Sequence, residues 1–187
     1  VVVPQENIAP PAGFALFHYL HEAWRIVFWD DAAIRRIKDD QRELPYGILI
    51  WVAANALPVI VMTLYVPAVA RQFSGIGGLI TLAFVLVYAA VWGLIHMGIC
   101  HLLAKHFCGG EGNFIQIIRP LLLASIVYVA LAIPILGTLV AGIAWVAVMM
   151  MVFEEVHAIE PLTAFLLSAG VGIALRLLQY FAFKTPF

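Results

Sequence analysis

Charge is scarce in this sequence. Only 11% of its 187 residues are Asp, Glu, Lys or Arg, and 64% are apolar, against roughly 25% charged and 45–50% apolar in an average soluble domain. A short chain in water leaves much of its surface exposed and could not bury that excess. The excess must face lipid. Cysteine is nearly absent, and Cys100 with Cys108 provides no disulfide framework. A net charge of −1 offers no surplus of either sign to attract nucleic acid or an acidic polymer. A phosphate-binding glycine loop, a catalytic triad and a paired-carboxylate site are also missing, so nothing reads as an enzyme.

What is present is a series of long apolar runs, with a mean hydropathy of +1.02. Residues 1–13 carry Pro4, Pro10 and Pro11 and read as an extended tail, without the basic start and apolar core of a signal peptide. Residues 14–45 form an amphipathic segment. Phe14, Phe17, Leu20, Trp24, Val27 and Phe28 recur at helical spacing, with His18, His21, Glu22 and Arg25 on the opposite stripe. Such a helix suits the membrane interface, where aromatic rings sit at headgroup level. The alternative is a helix packed on its own domain. The charged stretch Asp30–Glu43 that follows predicts a short second helix capped by Asp30 or Asp31, with a solvated or partner-docking face.

Residues 46–187 predict five membrane helices, over about 46–70, 79–104, 114–133, 136–153 and 162–183. Pro58 should kink the first and Pro67 end it. The forty residues Phe114–Phe153 contain one charge, Arg119. A single helix of that length would measure about 60 Å, twice the hydrocarbon thickness. The Ile133-Pro134-Ile135-Leu136-Gly137 punctuation therefore marks a tight hairpin between two spans. Continuous apolar runs, with no alternation, exclude a barrel and predict an all-α polytopic fold. Arg25, Arg35, Arg36, Lys38, Arg42, Lys105 and Arg119 lie on the N-terminal side, and only Arg71 and Lys184 on the other. Seven against two places the N-terminus in the cytoplasm and the C-terminus outside, as in a bacterial inner membrane.

Three groups of residues could carry chemistry. His96, His101 and His106 surround Cys100, and buried imidazoles can hold haem. Residues five apart are about 140° out of phase on a helix, however, so interhelical hydrogen bonding is the competing reading. Glu111, Glu154, Glu155, His157 and Glu160, with His106, could hold a divalent cation or simply decorate a wetted loop. Arg119 and Arg176 interrupt otherwise uncharged spans; Arg119 should snorkel to headgroups, and Arg176 snorkels or makes a structural hydrogen bond in preference to serving a transport path. Met149-Met150-Met151 reads as apolar packing, and Gly137, Ala141, Ala144, Gly170, Gly172 and Ala174 suit close helix approach.

The chain also resembles the Ypt-interacting protein (Yip) domain family in its bacterial form. The likeness starts at Trp24-Arg25-Ile26-Val27-Phe28 and the charged Ala33–Asp40 stretch. It is clearest at His101-Leu102-Leu103-Ala104-Lys105-His106-Phe107-Cys108-Gly109-Gly110, and continues through Ile133–Gly137 and the Glu155-Val156-His157 turn. The resemblance implies five spans, a cytoplasmic N-terminus and no catalysis. Eukaryotic relatives work in vesicle traffic with Rab-type GTPases. The short N-terminal segment and Cys108 depart from that pattern, so GTPase binding is not carried over.

The function expected from these features is a non-enzymatic accessory or scaffold subunit in the bilayer, hetero-oligomeric with other integral membrane proteins. Its contact surface would be Phe17, Trp24, Arg25, Phe28, Trp29, Arg35 and Arg36. The alternatives are a haem- or quinone-bearing anchor subunit of an electron-transfer complex, through His96 or His101, and a small transporter using Arg176.

Overall fold

The computed structural model describes residues 15–134 and 136–183, so the expected tail over 1–13 and Phe14 lie outside the described residues. Among the described residues eight α-helices follow in order: α1 Leu16–Val27, α2 Asp31–Ile37, α3 Glu43–Tyr65, α4 Pro67–Gln72, α5 Gly75–Phe107, α6 Phe114–Ala124, α7 Leu136–His157 and α8 Pro161–Phe183. A 3₁₀ run, Ser125–Ala132, prolongs α6. No strand occurs among the described residues. Among these residues five helical segments are long and apolar enough to cross a bilayer: α3, α5, α6 with its 3₁₀ extension, α7 and α8. The chain is an all-α polytopic membrane protein.

Span boundaries differ from the expected ones for local reasons. The first helix begins at Glu43 and stops at Tyr65, not at residue 70. Pro67 forces Val66 into an extended conformation and starts the separate helix α4. Pro58 stays inside α3 and is buried. The second span extends from Gly75 to Phe107 and is about 50 Å long. The fourth continues a turn further than expected, to His157.

The third span changes pitch midway. At the junction the Ser125 hydroxyl donates to the Leu122 carbonyl at 2.5 Å, a back-bond that competes with regular helix. An α-helix of 11 residues followed by a 3₁₀ run of 8 reaches about 33 Å, whereas an unbroken α-helix would reach about 28 Å. The stretch lets a short segment cross the hydrocarbon. Tyr65 closes its far end by donating to the Ala132 carbonyl.

This third span lies between α3 and α7; α8 packs on α7, and α5 on α8. Burial follows that order, with 39% of the third span and of α7 inside the protein against 6% of α5. The expected hairpin is present, and Gly137 starts α7 hard against the main chain of Ala130. At the opposite end, α1 lies on α6 and α3, and α2 on α7 and α6. This cap completes the core, where Tyr19, Ile26, Ile34 and Ile37 meet Ile117, Leu121, Met149 and Phe153. Met149 and Met151 are buried there, as expected of flexible apolar packing.

Candidate functional site

The cap is built around a helix end that normally wants glycine. At the close of α1 the Trp29 N–H donates to the Ile26 carbonyl and the Asp30 N–H to Arg25, both near 3 Å. That is a Schellman arrangement, and its left-handed position is held by Trp29 with φ 67°. A non-glycine residue there costs roughly 1–2 kcal/mol. Asp30 then caps α2, accepting from the Ala33 N–H at 3.2 Å, as the sequence led us to expect.

Many charges of the cap are used internally. Arg25 donates to Asp30 at 2.7 Å and reaches Glu22 at 3.5 Å. Arg36 donates to the other Glu22 oxygen at 2.8 Å, and Arg35 to both oxygens of Glu155 at 2.8 Å. Burial works against ionisation of Asp30, but the Arg25 bond and the Ala33 N–H outweigh it and hold the carboxyl below its ordinary range. Tyr19 donates to Asp40 at 2.7 Å and stacks on Tyr46; burial, then Asp40, pushes its phenol well above the usual value. Gln116 donates to Asp39 at 2.7 Å, and Arg119 to the Lys38 carbonyl at 2.8 Å. Arg119 therefore ties the third span to the cap instead of snorkelling.

These ties settle which face of α1 is inward. Tyr19, Ala23 and Ile26 are fully buried, and Glu22, expected on the wet stripe, is 3% exposed. The helix both packs on its own domain and keeps an aromatic outer face. Phe17, Trp24, Phe28 and Trp29 are 51–82% exposed, and Trp24 stacks on Phe28 with ring centroids 5.8 Å apart.

Inside the cap lies a residue that the charge pattern did not single out. Glu43 is fully buried, and neither carboxylate oxygen has a hydrogen-bond partner. Its carboxyl group occupies the space a side chain at Gly47 would need. Arg119 and Asp40 are the charged groups whose fields reach it. The available signal was a glycine four residues on, on the same helix face.

The histidines separate. His96 pairs with the Ser168 carbonyl at 3.1 Å, joining α5 to α8, and Cys100 donates to Leu167 at 3.5 Å along the same seam. His101 instead meets His157 at 3.1 Å, joining α5 to α7, and His106 is exposed. His96 and His101 thus serve different helix contacts.

The cation candidates disperse as well. Glu155 takes Arg35, His157 takes His101, Glu154 is half-buried, and Glu111 and Glu160 are exposed. No group of three His, Cys, Asp or Glu suited to a metal forms among the described residues. Arg176 donates to Gln179 at 3.2 Å, and Gln179 donates to the Tyr88 hydroxyl at 2.8 Å, a polar node between α8 and α5. A groove of about 400 Å³ between α1, α3 and the 3₁₀ run, lined by Leu16, Leu20, Leu57, Ile60, Ile126 and Val129 among others, is apolar throughout. It offers no group to orient a polar substrate. Comparison with protein-family models, curated proteins and solved structures finds no match to this chain.

Proposed function

We propose that this chain is a non-enzymatic integral membrane protein, an accessory or scaffold subunit that docks other membrane proteins through the aromatic face of its N-terminal cap. One observation carries the reading. Glu22, Arg25, Asp30, Arg35, Arg36, Asp39 and Asp40 bind one another, Tyr19 or the bundle, while four large aromatic residues remain outside on a base anchored at several points. Aromatic residues dominate interface energetics, and a surface held rigid before binding loses less entropy when it is covered. Arg25, Arg35 and Arg36 hold that surface in shape, and each side chain is still partly exposed to a partner's carboxylate.

The seven-to-two distribution of basic residues supports a cytoplasmic cap and an external C-terminus, in a bacterial inner membrane. We hold membership of the Yip domain family as part of the same proposal. It rests on the quoted motifs, and it agrees with five spans and a docking role.

The test is extraction in mild detergent, with analysis of what elutes alongside the chain. Stoichiometric membrane-protein companions are expected, and Trp24→Ser with Phe28→Ser should release them without changing helicity or span count. Elution of the chain without companions, or companions fully retained in the double variant, overturns the docking role.

A further inference from the structure

We infer that His101 and His157 form a proton-operated latch on the connection between α5 and α6, closed only while both imidazoles are neutral. The hydrogen bonds themselves assign the tautomers. The Gly112 N–H points at His157 Nδ1 from 3.2 Å, so Nδ1 must present a lone pair. The proton of the neutral ring is then on Nε2, which lies 3.1 Å from His101 Nδ1. His157 therefore donates to His101, and His101 carries its own proton on Nε2. Every donor and acceptor along this line is used once.

A further proton cannot be placed without breaking the line. On His101 Nδ1 it would set N–H against N–H. The two rings stay bonded only if His157 moves its proton from Nε2 to Nδ1 and accepts from the cationic His101. That bond is charge-assisted and stronger than the neutral one. The new Nδ1–H then faces the Gly112 N–H, and the connection loses its acceptor. Protonation directly at His157 Nδ1 has the same result. One proton is taken up, no electrons move, and in either case it is the Gly112 bond that breaks.

The surroundings make that bond matter. A side chain at Gly110 would stand 2.6 Å from His157 Nδ1, and one at Gly112 would strike Val156, so two glycines seat the connection against the end of α7. Phe153 stacks on His157, and Phe114 lies against His101. Lys105 and His106 on α5 are the cationic or titratable groups whose fields reach the pair. Glu111 meets His157 through its backbone N–H, at 3.4 Å from the His157 carbonyl. The connection leads into the capping box of Asn113 and Gln116, and Gln116 holds Asp39 of the cap. Opening the latch therefore loosens one of the cap's anchors.

The experiment is hydrogen exchange of residues 109–113 in the full chain in lipid nanodiscs, corrected for intrinsic exchange. It would run from about pH 7.5 to about pH 3.5, from above the ordinary imidazole value near 6.5 to well below it, so that a packed pair is forced to take up its proton. Wild-type protection should fall about tenfold, the weight of one hydrogen bond, while the helices keep theirs. His157→Asn supplies an amide oxygen for Gly112 that does not titrate, and its protection should be independent of pH. Nitrogen NMR of the wild-type histidines at neutral pH should show His157 protonated on Nε2 and bare on Nδ1. Flat wild-type protection, an equal fall in His157→Asn, or a proton on Nδ1 at neutral pH each overturns the latch, and the NMR result stands even if the variant does not fold.

Discussion

Gly137 has no room for a side chain against the main chain of the 3₁₀ run, and Gly137→Ala should show it. A methyl group there would press into the carbonyl oxygen of Ala130, with the carbonyl carbon 2.8 Å away and Leu131 Cα 3.1 Å away. Ordinary contacts begin near 3.4 Å, so α7 and the 3₁₀ run must part by more than half an ångström at their tightest crossing. The obstacles are main-chain atoms and cannot swing aside as a long side chain would. Overpacking of this kind costs about 1–3 kcal/mol, and rigid neighbours put it at the upper end. The helical preference for alanine over glycine offsets about 1 kcal/mol, leaving a net loss near 2 kcal/mol. A side chain at Gly142, about one and a half turns of helix further from the crossing, would have nothing within 4 Å. Gly142→Ala should therefore be neutral or stabilising by up to about 1 kcal/mol. Reversible unfolding in mixed micelles, with helicity as the readout, measures both. If Gly137→Ala unfolds with or after the wild type, or if the two variants shift alike, the tight crossing is refuted.

The same pair shows why only part of this fold was legible from the sequence. The spans and the hairpin could be read because hydrocarbon tolerates few charges and no unbonded backbone, and Pro134 with Gly137 was the one break in forty residues. Close approach could not be read from small residues alone. Gly137 and Ala141 are buried at a crossing, Gly172 meets His96, and Gly170 has open space around it. The cap was harder again. The aromatic stripe on α1 reads as the face turned to the membrane interface, and its rings are exposed, but the stripe read as polar lies partly inside: Ala23 is fully buried, and Arg36 gives Glu22 a partner there. Glu43 closes a charged stretch that reads as a solvated or partner-docking face, yet it is fully buried. The His101–His157 pair spans 56 positions in sequence, and its only local sign was a glycine cluster whose closeness to α7 no spacing rule reveals.

Two further predictions concern the cap. Trp29→Gly should stabilise the folded protein by about 1 kcal/mol by relieving the left-handed backbone, while weakening retention of companions, because an exposed anchor is removed; a destabilised variant in the same unfolding assay would mean that Trp29 makes contacts that hold its backbone. Asp30 makes stability depend on pH. Its carboxyl is held below the unfolded value of about 3.9 by Arg25 and the Ala33 N–H, so between the two values the unfolded chain binds more protons than the folded one. Stability from this group is therefore complete above about pH 4 and is lost as pH falls through the folded value. Asn at this position keeps a good helix cap but cannot pair with Arg25 as an anion, so Asp30→Asn isolates the charge. The pair is partly exposed and is worth up to about 1 kcal/mol. Thermal unfolding should show wild type above Asp30→Asn at pH 7 and the gap closing below about pH 4. A gap that persists undiminished at low pH would assign the difference to packing or capping and remove Arg25–Asp30 from the ties that shape the proposed docking surface.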